Sequence, residues 1–439
     1  MPVATEPAVR APVAPLPPKP APAPGRGVRR FLRRLGPGLI TGAADDDPSG
    51  VATYSAAGAQ FGFALLWTAP VVLPLMAAVQ LMCARIGQVA GQGLAGVLRS
   101  YYPRWMLWLA CGLLLPANVV NIGADLGAMA AVAQMLTGVP AAWFEPAFAL
   151  LILLLLVVAS YTVIARIFKW LTLVLFAYVG AAFLARPDWT AVLRATAVPA
   201  IRLERGAVLT LVAILGTTIS PYLFFWQADE EVEEEKALGR TTIAARRGAS
   251  RRAIRAARVD VVTGMTISQL IAFFIILTTG ATLHAAGQTQ IQTAEQAAMA
   301  LRPLAGGAAA LLFSLGIIGT GMLGVPVLAG SAALAIAEAE AWNSGMSEKP
   351  RQAARFYAVM ALSLAAGMVM LHTGIPAIRM LFWAAVVNGV MAPPLIFIIL
   401  LVCNDRRVMG EWTNSRSLNL FGTLAGVAMA AAAILLLVL

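Results

Sequence analysis

The chain has 439 residues, of which 60% are hydrophobic and 12% charged, and its mean hydropathy is +0.79. That charge density is about half the ~25% of a soluble domain, and eleven spans of ~20–25 residues absorb most of the length, which excludes a soluble enzyme and leaves a polytopic membrane bundle. On such a chain the net charge of +11 (32 Lys+Arg against 21 Asp+Glu) marks loops at one membrane face rather than nucleic-acid binding.

Residues 1–36 form a proline-rich stretch ending in Arg26, Arg29, Arg30, Arg33 and Arg34, without the apolar core of a cleavable signal. They read as a disordered cytoplasmic tail ahead of a transmembrane domain over 37–439. The hydropathy predicts an all-α protein of eleven membrane helices near 38–62, 65–86, 105–136, 143–164, 169–185, 207–228, 260–284, 306–340, 356–372, 378–402 and 418–439. With the N-terminus inside, the loops after even-numbered helices are cytoplasmic. They hold the seven arginines between Lys236 and Arg258, the segment Lys349 to Arg355, and Arg406 with Arg407. The loop after the fifth helix dissents, with Arg186, Arg194, Arg202 and Arg205. An odd helix count puts the C-terminus outside. The Ala- and Arg-rich composition points to a GC-rich bacterium, and the expected location is the bacterial inner (plasma) membrane.

Two helices are interrupted. The first is broken by Asp45-Asp46-Asp47-Pro48-Ser49-Gly50 and the sixth by Thr217-Thr218-Ile219-Ser220-Pro221-Tyr222. These are corresponding places if helices 1–5 and 6–10 are two repeats of about 37–186 and 206–403. Five being odd, the second repeat is inverted, the plan of many secondary transporters, and the helix at 418–439 is an addition. A proline removes a donor and clashes with the preceding turn, so each break frees carbonyl oxygens within the apolar span. One intramembrane aspartate costs at least ~2.5 kcal/mol, so three adjacent ones call for protonation, water or a bound cation. A cation held by carboxylate and carbonyl oxygens answers both demands. The competing reading makes the acids an ordinary helix-entry loop, with Asp as a cap ahead of proline. The apolar runs LGPGLITGAA before and GVATYSAAGAQFGFALLW after argue against a surface position.

The segment GPGLITGAADDDPSGVATYSAAGAQFGFALLW resembles the first helix of the natural resistance-associated macrophage protein (Nramp) family of divalent metal transporters, whose signature there is Asp-Pro-Gly-Asn. The Pro221 region, NVVNIGADLGAMAA in the third helix and APPLIFIILL in the tenth extend the resemblance over most of 36–412. It implies a LeuT-like fold, alternating access and a metal between helices 1 and 6. By this resemblance Asp47 matches the metal-binding aspartate, while Gly50 stands where the family has a ligand asparagine. The pattern Ala-x-x-Met-Pro-His becomes Thr217-x-x-Ser220-Pro221-Tyr222, so a hydroxyl replaces a thioether and a phenol a histidine. Asn118 and Ala128 replace acids of the family's proton route, and Asp125 remains.

An all-oxygen site loses the thioether's preference for softer metals, and a roomier one suits an ion that keeps water ligands. This leans to Mg²⁺, with Mn²⁺ close, and resembles the Nramp-related magnesium branch. The expected ligands are Asp47, the carbonyls of Ala44 and Thr217 and the hydroxyls of Ser49 and Ser220, beside Gly50, with Asp46 less central. Asp125, Asp45 and Tyr222 are the candidate proton route, with weak or absent proton coupling. Asp125 has a plain alternative as a packing group paired with Asn121 or Asn118. The standard proton-coupled Mn²⁺/Fe²⁺ symporter and an organic-substrate carrier are the alternatives; three aspartates disfavour an anionic substrate.

Other residues read more plainly. Cys83, Cys111 and Cys403 are isolated, and His284 and His372 cannot make a zinc centre. Glu230, Glu231, Glu233, Glu234 and Glu235 read as a solvated extension of helix 6 pairing with Arg246 to Arg258, and Glu338 and Glu340 likewise. Gly319, Gly321 and Gly324 permit close packing or a local break. No Walker segment, resident cofactor, nucleic-acid partner or obligate protein partner is implied. The partners are a transported divalent ion and the bilayer.

Overall fold

A computed structural model of the chain describes residues 36–158, 173–200, 203–346, 348 and 350–439. The expected tail over 1–35, and parts of the fourth and fifth helices, lie outside the described residues. The expected first helix is two pieces, α1 (Pro37–Asp45) and α2 (Pro48–Phe61). There follow α3 (Thr68–Ala90), the short α4 (Leu94–Tyr101), α5 (Arg104–Thr137), α6 (Ala141–Val158), α7 (Ala177–Leu184) and α8 (Trp189–Ala197). The expected sixth helix is also divided, into α9 (Arg205–Thr218) and α10 (Pro221–Ala237). After it come α11 (Arg251–Thr279), α12 (Ala309–Glu340), α13 (Ala354–Leu371), α14 (Ala377–Asn404) and α15 (Arg416–Val438). Among the described residues nine helices are long and apolar enough to cross a membrane, the broken sixth counting as one. The broken first and the short apolar stretch Leu173–Leu184 occupy the other two expected places.

Glycines set how close the broken elements come to their supports. A Cβ on Gly38 would lie 2.5 Å from the backbone nitrogen of Val261, and one on Gly42 would lie 2.5 Å from the carbonyl of Gly264. Thus α1 meets α11 backbone to backbone, as small residues allow in membrane bundles. Gly216 of α9 lies equally tightly on Ala385 and Gly389 of α14. Helix α12 runs unbroken through Gly319, Gly321 and Gly324, so these glycines serve close packing and not a break.

Two expected boundaries move for local reasons. Helix α11 starts nine residues early because Ser250 caps it, accepting from the amide of Ala253 at 3.1 Å, and Arg and Ala carry the helix readily. Helix α10 continues to Ala237, and its acids are not the solvated, arginine-paired extension expected. Asp229, Glu230 and Glu231 are buried, Glu231 accepts from Gln88 at 2.7 Å, Glu233 pairs with Lys236 at 2.7 Å, and Glu235 pairs with Arg240. The Arg246 guanidinium goes instead to the carbonyls of Gly91, Arg240 and Thr241. Glu338 is likewise engaged, accepting the amides of Gly93 at 2.7 Å and Gly96 at 2.8 Å.

Candidate metal site between the helix breaks

Both breaks have the same construction: a residue in extended conformation, then proline at the first position of the following helix. Asp47 caps α2 ahead of Pro48, and Ser220 precedes Pro221 of α10. Proline costs nothing at that position because the first-turn amides have no intrahelical acceptor. The Asp47 carboxylate accepts the Gly50 amide and the Ser49 hydroxyl, both at 2.8 Å. The capping role raised as the plain alternative is therefore real, but its place is internal. Asp47 is 1% exposed and faces the other break.

Three side-chain pairs join the breaks. Tyr222 reaches across from α10 with its hydroxyl 3.0 Å from the Ala44 carbonyl and 3.2 Å from Asp47 Oδ2. Ser49 and Thr217 hydroxyls lie 3.4 Å apart, and Tyr54 and Thr218 hydroxyls 2.8 Å apart. The phenol carries one proton for two acceptors, so it holds together the carboxylate and the carbonyl expected to receive a cation. Ser220 lies at the break with its hydroxyl 2.7 Å from the carbonyls of both Gly216 and Thr217. That is the back-bonding usual for hydroxyls in membrane helices.

The other two aspartates do not join Asp47. Ser268 of α11 donates to Asp45 at 2.5 Å and approaches Asp46 at 3.2 Å, so both carboxylates face α11 while Asp47 faces α10. Accordingly, among the described residues no group of three or more His, Cys, Asp or Glu stands ready as a metal cage. What the breaks offer is one carboxylate, backbone carbonyls and hydroxyls, a hard-oxygen set of the kind that binds Mg²⁺ or Mn²⁺ with retained water.

Asp125 of α5 approaches from the side. A Cβ on Gly324 would lie 3.2 Å from the Asp47 Cβ and 3.8 Å from Asp125 Oδ2, so the missing side chain of α12 gives both aspartates their room. The expected pairing of Asp125 with Asn121 or Asn118 is not formed. Asn118 donates to the Leu328 carbonyl and the Ser331 hydroxyl, and among the described residues neither Asp125 oxygen accepts a hydrogen bond of ordinary geometry. A cavity of about 190 Å³, lined by Ala56, Gln60, Leu209, Gln292, Phe382 and others, descends to Ala52, two residues past Gly50.

Sequence reasoning missed Ser268 and Asp260. Asp260 of α11 takes the amides of Gly36 at 2.9 Å, Gly38 at 2.7 Å and Leu39 at 3.2 Å. The only signal for it was an acid interrupting an arginine-rich helix start.

A family model described as natural resistance-associated macrophage protein-like matches residues 38–439. Curated relatives include the divalent metal cation transporter MntH of Deinococcus radiodurans, 29% identical over 310 residues, covering 68% of this chain and 67% of that protein. MntH of Yersinia enterocolitica is 27% identical over 418 residues, 91% of this chain and 94% of that protein. A solved structure of the Eremococcus coleocola manganese transporter superposes with a TM-score of 0.73 at 16% identity, covering 93% of this chain and 87% of that one. Mhp1, a nucleobase-cation-symport-1 family transporter, gives 0.56 at 15% identity, with 92% of each chain covered. These likenesses establish an all-helical LeuT-like membrane fold. Matched over nearly its whole described length by that family model, the chain belongs to the natural resistance-associated macrophage protein-like family.

Proposed function

We propose that this protein carries divalent metal ions across a bacterial plasma membrane by alternating access, binding the ion between the breaks at Asp47. The observation that carries the reading is the buried Asp47 carboxylate meeting the Ala44 carbonyl around one phenol at facing helix ends. Mn²⁺ is the first ion in this reading, because the relatives named above are divalent metal cation or manganese transporters. The expectation of Mg²⁺ and of a magnesium branch draws nothing from those relatives. It rests on the donors alone: Gly50 brings no side-chain ligand and Ser220 no thioether. The arginines of the loops after even-numbered helices support a cytoplasmic N-terminus and an external C-terminus.

Metal uptake into proteoliposomes, with internal pH recorded, tests this reading. Mn²⁺ entry abolished by Asp47→Ala supports it, and Mg²⁺ competing at similar concentration supports the hard-oxygen donor set. We hold proton coupling to be weak or absent, since Asp125 stands without the companion acids of the family pattern. Stoichiometric proton entry that Asp125→Asn removes would replace this with the standard proton-coupled symporter. Entry of neither ion would refute the transport reading.

A further inference from the structure

Helix α11 begins with charge that its own surroundings do not balance. Its first eight residues include Arg251, Arg252, Arg255 and Arg258, all exposed. A helix N-terminus is already electropositive and favours acids there, so four guanidinium groups repel one another and the dipole. The single acid of the helix, Asp260, points the other way and is taken up by the amides of Gly36, Gly38 and Leu39. Among the described residues none of the four arginines forms an ion pair.

The chemistry changes along the helix from Val259 onward. Arg251, Arg255 and Arg258 are followed by Val259, Val262 and Leu270, which are 47%, 39% and 45% exposed. Arg251, Ile254, Arg255, Arg258, Val259, Val262 and Thr263 share one open face of α11. Helix α11 is long and apolar enough to cross the membrane, so the cationic tier lies at headgroup level and the apolar tier beside acyl chains. A free phosphate needs only the first tier, and a nucleic acid or soluble protein has no use for the second.

We propose that the Arg251–Arg258 face of α11 binds the headgroup of an anionic phospholipid, whose acyl chain lies along Val259 and Val262. The bound headgroup relieves the repulsion at the start of α11. It sits behind the turn whose inner side, through Asp260, holds the start of α1.

Native mass spectrometry of the full chain from nanodiscs of equal phosphatidylcholine and phosphatidylglycerol tests this. The wild type should retain phosphatidylglycerol preferentially, and retention should fall about five-fold for each arginine neutralised in Arg251→Gln, Arg255→Gln and Arg258→Gln. The corresponding lysine replacements should keep most of it, and Arg255→Gln alone serves if the triple variant does not assemble. No preference in the wild type, or an undiminished one in the glutamine variants, overturns the proposal. So does removal of the lipid by added glycerol phosphate, which assigns the face to free anions, or by an acidic peptide or RNA, which assigns it to a macromolecule.

Discussion

Replacing Asp260 with alanine should release the start of α1. The helix opens Gly36-Pro37-Gly38-Leu39; Pro37 has no amide proton, and the Ile40 amide already bonds to the Gly36 carbonyl at 3.3 Å. One carboxylate therefore satisfies every remaining donor of that turn, at 2.9, 2.7 and 3.2 Å. Loss of an N-cap costs about 1 kcal/mol and at most about 2. Hydrogen bonds to a charged acceptor contribute ~1.5–3 kcal/mol each where water cannot substitute, and Asp260 is only 4% exposed. A net effect of ~2 kcal/mol, about thirty-fold in the local opening equilibrium, is the expectation. Hydrogen–deuterium exchange of the peptide over residues 36–45 reads it directly. Asp260→Ala should accelerate exchange by about that factor, and Asp260→Asn, which keeps one acceptor oxygen, by less. Unchanged exchange in the alanine variant would refute the reasoning, since the amides would then owe their protection to something other than the trans cap.

Three further substitutions separate packing, ligand competition and surface charge. Tyr222→Phe removes the phenol that occupies the Ala44 carbonyl and Asp47, so Mn²⁺ measured by calorimetry should bind roughly five-fold tighter, the equivalent of one hydrogen bond of ~1 kcal/mol; weaker binding would make the phenol itself a ligand. Gly42→Ala puts a methyl 2.5 Å from the Gly264 carbonyl, where both neighbours are backbone, and should cost ~1–3 kcal/mol; an unaltered melting temperature would contradict the close seating of α1 on α11. In the loop after α14, hydrogen bonds from Arg407 and Tyr102 hold the Asp405 carboxyl down at about 2. A lowered folded value stabilises above the ordinary carboxylate range near ~3.9 and is lost as pH falls towards 2. Thermal melts should therefore show Asp405→Asn less stable than wild type by a constant amount between pH 5 and 8, with the gap closing in acid. A gap that widens in acid would contradict this.

The two breaks were legible because proline after a polar residue inside an apolar run has few other meanings, and because both breaks fall at the first helix of a five-helix set. Asp47 was legible for the same reason. The division of the three aspartates was not, since the sequence presents them as one cluster. Adjacent residues at the end of α1 leave the axis in different directions, and only the placement of α11 decides that Ser268 receives Asp45 and Asp46 while Tyr222 receives Asp47. The acids after Trp226 misled for a related reason. A run of five glutamates reads as solvated, yet Glu231 is buried against Gln88 of α3, more than a hundred residues away. The trans caps of Asp260 on α1 and Glu338 on the start of α4 have no local signature, because donor and acceptor meet only in the assembled bundle.

The most direct test is anomalous diffraction from crystals of the protein soaked with Mn²⁺. A single peak in contact with Asp47 and the Ala44 carbonyl, absent from crystals of Asp47→Ala, is the result this account predicts. A peak lying instead between Asp45, Asp46 and Ser268, or one that survives Asp47→Ala, would contradict it.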